Sequence, residues 1–452
     1  MIGPDFKTPP APLAEQWQDA SNAAIDSSRQ EYRTWWEVFD DPVLVQLVET
    51  AYRQNLDLLM AGVRVLQARA QLGLAIGELY PQQQLAVGGV SYNRIPGSIP
   101  YNIINNTYWQ SMLGVQAGWE IDIWGKARRG VQSADQAYLA SVAAYDDLLV
   151  TLTGDVASTY VQIRTLETRM AIARDNIVKQ REAVQIAKNR FEGGVVSKLD
   201  VYQAENVLGA TEAAIPALRI ELQQSKNALS VLLGAPPGGL DEILDGESGI
   251  PLAPAQVAVG IPADLLRRRP DIRSAERRLA AQTAEVGVAT AALYPSLSLS
   301  GSITLQSLTA SDVLDGFRTD RLGLSLSVPL FRGGALRQNV RAQNALVDQA
   351  LAAYEDTVLA AYEEVENALT ASTNEQVRHD ALQLGVDSAR RASELALTQY
   401  NSGLVDFQTV LTADRQLISL EDSLAVSDGE MTANLIRLYK ALGGGWSAFP
   451  KE

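Results

Sequence analysis

Cysteine is absent from this chain of 452 residues and histidine occurs once, so disulfide frameworks, Cys/His zinc sites and thiol or Ser-His nucleophiles have almost nothing to be built from. No apolar run approaches the roughly 18 residues of a spanning helix, and Met1 is not followed by a basic and apolar leader. Positive charge is in deficit, with 38 Lys plus Arg against 53 Asp plus Glu and a net of −15. That balance argues against nucleic acid as a partner and suits a path for cations or neutral solutes. The acids are spread along helices with no histidine or metal set beside them, so a carboxylate hydrolase has no convergent pocket. We expect no enzyme, no cofactor and no metal.

What the chain does contain is a duplication. Asp57, Ala61, Arg64, Gly73, Ala75, Leu79, Tyr80, Pro81 and Leu85 recur as Asp271, Ala275, Arg278, Gly287, Ala289, Leu293, Tyr294, Pro295 and Leu299, an offset of 295 − 81 = 214. From Gly125 the offset becomes 334 − 125 = 209, and it runs on through Arg181/Arg390, Gly194/Gly403, Glu212/Glu421 and Gly234/Gly443. Each half therefore reads as a helix, a Tyr-Pro stop, a short region, a Gly restart, a long helix, a Gly turn and a return helix.

The short regions carry period-two patterning. Trp109, Ser111, Leu113, Val115, Ala117, Trp119 and Ile121 alternate with Gln110, Met112, Gly114, Gln116, Gly118, Glu120 and Asp122. Strands are predicted near 84–92, 109–122, 296–305 and 321–330, with one apolar and one small polar face, as a lipid-facing barrel requires. Four strands cannot close a barrel in hydrocarbon, so the chain must oligomerise; a dimer, trimer or tetramer would each supply enough. Trp109 and Trp119 are placed as membrane-interface aromatics.

From Gly125 to Phe191 there is no proline, and a seam steps by three and four through Val142, Tyr145, Leu149, Leu152, Val156, Thr159, Ile163, Leu166, Met170, Ala173, Ile177, Gln180, Val184, Ala187 and Phe191. This is a heptad seam on a rod of roughly 100 Å. The chain turns at 193–197 and again at 401–404, giving two antiparallel hairpins, the first interrupted near Pro216. His379 falls on a seam position and is expected to pack there without a function.

At this point the sequence resembles the TolC-type outer-membrane factors, in the lipoprotein branch serving resistance-nodulation-division (RND) tripartite efflux pumps, across nearly its whole length. The matching residues are Gly3-Pro4-Asp5-Phe6 with Pro9, Trp35-Trp36 with Phe39, Asp41 and Pro42, Arg268-Arg269-Pro270-Asp271-Ile272 with Ala275 and Glu276, Tyr294-Pro295 and Phe331-Arg332-Gly333-Gly334. The resemblance implies a mainly α chain with a β-barrel: a homotrimer with a 12-stranded outer-membrane barrel, a periplasmic α-helical coiled barrel and an equatorial collar. It implies a periplasmic adaptor (membrane fusion protein), an inner-membrane RND transporter and outer-membrane lipid as partners. It also implies an N-terminal lipid on a cysteine that stands before a segment like Met1 to Asp5 and is missing here. On this reading residues 1–40 are an extended segment contributing to the collar, 41–235 and 261–443 are the two repeats, 236–260 is an equatorial linker and 444–452 is a tail.

In the family, acidic side chains on the second tip ring the axis and form the gate. This sequence departs from the usual pattern, with Gln408 at an apolar constriction position, Thr412 where aspartate is expected and Asp414 where glutamine is common. The gate is assigned to Asp406, Gln408, Thr409, Thr412 and Asp414, with the alternative that Asp406 caps the returning helix. Adaptor contact is assigned to Glu192, Gly193, Gly194, Lys198, Asp200 and Gly403. The function implied is a passive exit duct for efflux; a duct for type I protein secretion and a periplasmic coiled-coil adaptor are the competing readings.

Overall fold

The computed structural model describes all residues except 12–13, 15, 19–24, 27–32, 95–106, 245–248, 252–256, 259–261, 263–267 and 448–452. Much of the expected extended segment, linker and tail thus lies outside the described residues. The elements run β1 (Ile25–Asp26), α1 (Pro42–Gln54), α2 (Leu56–Gly77), β2 (Gln83–Arg94), β3 (Thr107–Ile121), α3 (Lys126–Glu192), α4 (Lys198–Leu232), α5 (Asp241–Leu244), β4 (Val257–Ala258), α6 (Pro270–Ala291), β5 (Ser296–Ser307), β6 (Phe317–Ser327), α7 (Ala335–Asn401) and α8 (Phe407–Ala441). They form two compact units. One holds Met1–Ala11, Val63–Ala143 and Ile272–Asp356; the other holds Pro12–Gly62, Ala144–Asp271 and Thr357–Glu452.

The first unit contains a four-stranded antiparallel sheet in the order β2-β3-β5-β6. Its registers sort the side chains onto two faces, because residues opposite one another on antiparallel strands point the same way. One face carries Val90, Tyr92, Trp109, Leu113, Val115, Trp119, Leu297, Leu299, Ile303, Leu305, Leu322, Leu324 and Leu326. The other carries Gln110, Gln116, Glu120, Ser298, Ser300, Ser302, Thr304, Arg321 and Ser325. The apolar face is largely exposed, Leu322, Leu324 and Leu326 most of all.

Two sequence expectations are corrected in this sheet. The fourth strand, predicted at 321–330, occupies Phe317–Ser327; Pro329 has no N–H to give a ladder, and the strand stops before it. Leu85 and Leu299 pair as repeat equivalents in the sequence, but Leu85 lies opposite Gln116 and Leu299 opposite Trp119, so they sit on opposite faces. The offset therefore shifts by one residue before the strand.

The first unit also holds the N-terminal strap. Ile2 N–H donates to the Trp124 carbonyl at 3.0 Å, and the buried Arg129 guanidinium donates to Ile2 O, Gly3 O and Asp5 Oδ1. Gly3 rests so close to Gly287 that a Cβ on Gly3 would lie 2.5 Å from the Gly287 Cα. Glycine is needed at position 3 where these backbones touch, and a Cβ on Gly287 would meet the Arg129 side chain at 2.8 Å.

Helices α3 and α7 each span 67 residues, and α4 and α8 each span 35. Most of the α3 seam is buried, at Leu149, Leu152, Val156, Ile163, Leu166, Met170, Ile177, Gln180, Val184 and Ala187, whereas Val142, Tyr145, Thr159 and Ala173 are half-buried and Phe191, beside the turn, is exposed. The break expected near Pro216 does not occur, because α4 continues through it. Pro216 and Glu212, whose carbonyl loses its helical partner to the proline, are both exposed, so the lost bond falls on the solvent side of the helix.

In the second unit the duplication reaches individual hydrogen bonds. Asn55 caps α2 by accepting from Leu58 N–H at 2.8 Å and donates to the Leu232 carbonyl at 2.9 Å. The equivalent positions are 55 + 214 = 269 and 232 + 209 = 441, and Arg269 donates to the Ala441 carbonyl at 2.8 Å. In both halves, then, the end of the return helix is pinned to the start of the first one. Arg269 also binds Asp271 at 2.6 Å and Glu364 at 2.7 Å. The Trp35-Trp36 motif packs here, Trp35 stacking on Tyr439 with centroids 5.5 Å apart, and Asp41 caps α1 while accepting from Tyr160 Oη at 2.7 Å. A short parallel pairing of Ile25 with Val257 and Asp26 with Ala258 joins the N-terminal segment to the linker.

Asp147 lies beside this cluster. Burial, and next the negative charge of Asp271, push its carboxyl up to about 6. A carboxyl raised above its ordinary value of 3.8 costs stability above pH 6, and that cost disappears as pH falls from 6 toward 4. Asp147→Asn should therefore stabilise the fold at pH 7.5, by on the order of 1 kcal/mol once solvent screening is allowed for, and so raise the midpoint of thermal unfolding. The gain should shrink to nothing by pH 4; an equal gain at both pH values would be inconsistent with this placement.

Candidate functional site

The two hairpin turns share one backbone solution. At the first, Gly194 adopts φ +69°, its N–H donates to Phe191 O, and Val195 N–H reaches back to Arg190 O at 2.9 Å. At the second, Gly403 adopts φ +78°, its N–H donates to Tyr400 O, and Leu404 N–H reaches Gln399 O at 2.9 Å. These are left-handed glycine caps at corresponding repeat positions. The next helix is started by Ser197 in one hairpin and by Asp406 in the other.

Beneath the turns the hairpins share an apolar core of Val184, Ala187, Val201, Ala204, Val207, Ala396, Tyr400, Phe407, Val410 and Leu411. Arg190 stacks over the Tyr400 ring at 4.3 Å and donates to its carbonyl. Matching ion pairs brace each hairpin, Arg181 with Glu212 at 2.8 Å and Arg390 with Glu421 at 3.0 Å, and all four residues are repeat partners. The Arg169 link has no counterpart: Arg169 grips Asp422 with two bonds of 2.7 and 3.0 Å, whereas the position equivalent to Asp422 in the first half is Ala213.

The structure brings together four of the five residues assigned to a gate from the sequence. Asp406, Gln408, Thr409 and Thr412 line an open groove of about 540 Å³, with Ala389, Ala392, Ala413 and Gln416 completing it. Asp406 is also the helix cap: it accepts from Thr409 N–H at 2.9 Å and Thr409 Oγ1 at 2.7 Å, and these bonds hold its carboxyl below the usual carboxylate range. Cap and groove wall are thus one side chain. Asp414 is not in the groove; it turns toward α7 and accepts from Ser393 Oγ, and burial pushes its carboxyl up.

Of the residues assigned to partner contact, Glu192, Gly193, Gly194, Lys198 and Gly403 are exposed and Asp200 is half-buried. Lys198 Nζ lies 5.3 Å from the Tyr202 ring centroid. His379 is half-buried with Nε2 2.9 Å from Asp428 Oδ1. Trp109 and Trp119 share the apolar face of β3, ten residues apart. At ~3.4 Å per residue and a tilt of about 40°, that spacing is on the order of 26 Å, close to the height of an outer-membrane apolar band. Trp109 is 48% exposed and packs at a tilt against Tyr92, while the Trp119 indole N–H donates to Leu79 O at 3.3 Å.

Sequence reasoning missed the pins at Asn55 and Arg269. The signal was present in that both immediately precede a repeat helix at the common offset, but amide and guanidinium do not match by type. No helix among the described residues is long and apolar enough to cross a membrane, and no group of three or more potential metal-ligating side chains occurs among them.

Comparison with known proteins points the same way. A family model described as outer membrane efflux protein matches residues 47–235 and again 261–444. Its two matches begin 261 − 47 = 214 residues apart and end 444 − 235 = 209 apart, which are the two repeat offsets. Nodulation protein T of Rhizobium leguminosarum bv. viciae is 32% identical over 99% of this chain and 91% of its own length. The toluene efflux pump outer membrane protein TtgF of Pseudomonas putida is 30% identical over 98% and 93%. The solved outer-membrane channel OprN superposes with a TM-score of 0.92 at 34% identity, covering 99% of both chains.

The dual role of Asp406 generates a test. Asp406→Ala should speed hydrogen exchange at the amides of Gln408, Thr409 and Val410, while Asp406→Asn should stay near the parent rates because an amide oxygen still accepts. Equal exchange in all three proteins would show that the cap does not hold the turn.

Proposed function

This chain belongs to the outer membrane efflux protein family, and from that premise we propose that three copies form one continuous duct, gated at the hairpin tips. The protein is an outer-membrane exit channel for tripartite efflux. The observation that carries the assembly is the sheet: β2 and β6 are its edges, 12 and 11 residues long, with an exposed apolar face beside them. Such edges are untenable in hydrocarbon unless another chain pairs with them. Helix packing agrees. Leu66 on α2 is 63% exposed, whereas its repeat equivalent Ala280 on α6 is 4% exposed. The first repeat thus lacks the neighbour that the second finds within the chain, and a second copy supplies it.

The apolar sheet face meets lipid and the Gln/Ser/Gly face lines the lumen. Transport requires no bond chemistry: solutes diffuse through a wide aqueous path whose far end is held shut and then opened. The gate comprises Asp406, Gln408, Thr409 and Thr412, repeated around the axis, where ionised Asp406 favours cations. Asp414 contributes by fixing α8 to α7 through Ser393. Opening follows when a periplasmic adaptor engages Glu192, Gly193, Gly194, Lys198, Asp200 and Gly403 and shifts the hairpins, with an RND transporter delivering cargo from the inner membrane. No cofactor takes part.

We also propose an N-terminal lipid. The strap supports it, since Ile2 is bonded to Trp124, three residues beyond the end of β3, so the N-terminal residues lie at the sheet's own rim. The intact mass of the native product should exceed the polypeptide by that of an acylated cysteine, and an unmodified N-terminus would refute the anchor.

The gate is tested by single-channel recording in planar bilayers. Asp406→Arg should invert or abolish cation preference and Thr412→Arg should lower conductance severalfold. Parent-like conductance and selectivity in both variants would place the constriction elsewhere.

A further inference from the structure

The duplication and the strand registers together contain the register of a junction that one chain cannot display. Strands β2 and β5 are both 12 residues long, and their ends are offset by 296 − 83 = 213 and 307 − 94 = 213. Within the hairpins Gln83 pairs with Gly118 and Ser296 with Ser327, so β3 maps onto β6 with an offset of 327 − 118 = 209. The two hairpins are therefore the same object twice. They meet inside the chain where β3 pairs with β5, Ser111 lying opposite Ser307.

If copies follow one another around an axis, the β3–β5 junction has an equivalent in which β6 of one copy pairs with β2 of the next. Carrying Ser111 forward by 209 gives Asp320, and carrying Ser307 back by 213 gives Arg94. We propose that adjacent copies pair antiparallel in this register, β6 residues 320–327 running opposite β2 residues 94–87. This rests on the multi-copy duct proposed above and specifies how its seam is built.

The residues brought together obey the rule of cross-strand complementarity, which is independent of the repeat. Asp320 meets Arg94, an opposite-charge pair, and extends the ion pair that Asp320 already makes with Arg318 at 2.7 Å. On that face Leu322 meets Tyr92 and Leu324 meets Val90, apolar against apolar. On the other face Arg321 meets Asn93, Gly323 meets Ser91 and Ser325 meets Gly89, all small or polar. A slip of two residues in one direction sets Arg318 opposite Arg94, like against like; in the other it sets Leu322 against Arg94. A slip of one residue is worse, turning the leucines of β6 into the lumen relative to the face they must share.

Cysteine pairing tests the register, because the chain has no cysteine to interfere. Ser325→Cys is nearly isosteric, and a Cβ at Gly89 meets nothing within 4 Å, so the double variant Ser325→Cys/Gly89→Cys should fold. Directly opposed residues bring Cβ atoms to about 5 Å, close enough for a disulfide with slight adjustment. After oxidation of outer membranes with copper phenanthroline, most of this variant should run as a covalent trimer on a non-reducing denaturing gel and return to monomer on reduction. The shifted pairs Ser325→Cys/Val87→Cys and Ser325→Cys/Ser91→Cys should stay largely monomeric. Preferential linkage of a shifted pair overturns the register and leaves the trimer standing, as does a detergent-extracted trimer in which no pair links. A monomer in detergent with no linkage overturns both.

Discussion

A peptide group in hydrocarbon has no water to bond to, and each unpaired one costs several kcal/mol. A sheet of four strands has two rims, and here both are long. That one deficit explains why the chain is built as a fraction of an object. It requires neighbours, it requires their strands to match in length and face, and it makes an approximate internal repeat a natural way to meet the need, since one type of hairpin then serves every junction around the ring. Once copies surround an axis, helices that leave the sheet need apolar seams toward both neighbours. The buried seam of α3 and the bare leucines of α2 are two states of the same requirement.

Much of this was legible in the sequence because it was written twice. Repeat offsets, heptad spacing and period-two alternation each report a geometry that recurs, and the helix lengths and turns follow from them. What was not legible depended on single residues. The one-residue shift between Leu85 and Leu299 hides because leucine stands at both places, although they face opposite ways. Pro216 reads as a break, yet it stands on an exposed face of a helix that runs on through it. Asp414 falls with the gate by proximity in sequence, but a helix turns about 100° per residue, so a position two beyond Thr412 points almost oppositely. Gln408 and Thr412, four apart, share a side, and those two remain together in the groove.

The tips show which forces hold the helices together. The ion pairs along them are mostly exposed, and such pairs contribute little, roughly 0–1 kcal/mol each. The apolar core under the turns contributes more, and Tyr400 and Phe407, with ring centroids 5.0 Å apart, are its largest side chains. Between the halves of a chain the bidentate grip of Arg169 on Asp422 adds a directional clasp. Ala213 offers no such grip at the equivalent place, so the seams of an assembled ring are unequal in polarity.

The Ser197 and Asp406 caps close turns of one shape with different chemistry. Three chains would display six nearly identical knuckles around the rim, but only in alternate ones would the cap itself carry the negative charge; in the others the acid is Asp200, in the first turn of the returning helix. A visitor that grips the shared glycine contour would count six places to hold, and one that reads the charge of the cap would count three. The same rim can therefore be engaged at two stoichiometries, depending on whether its outline or its electrostatics is being recognised.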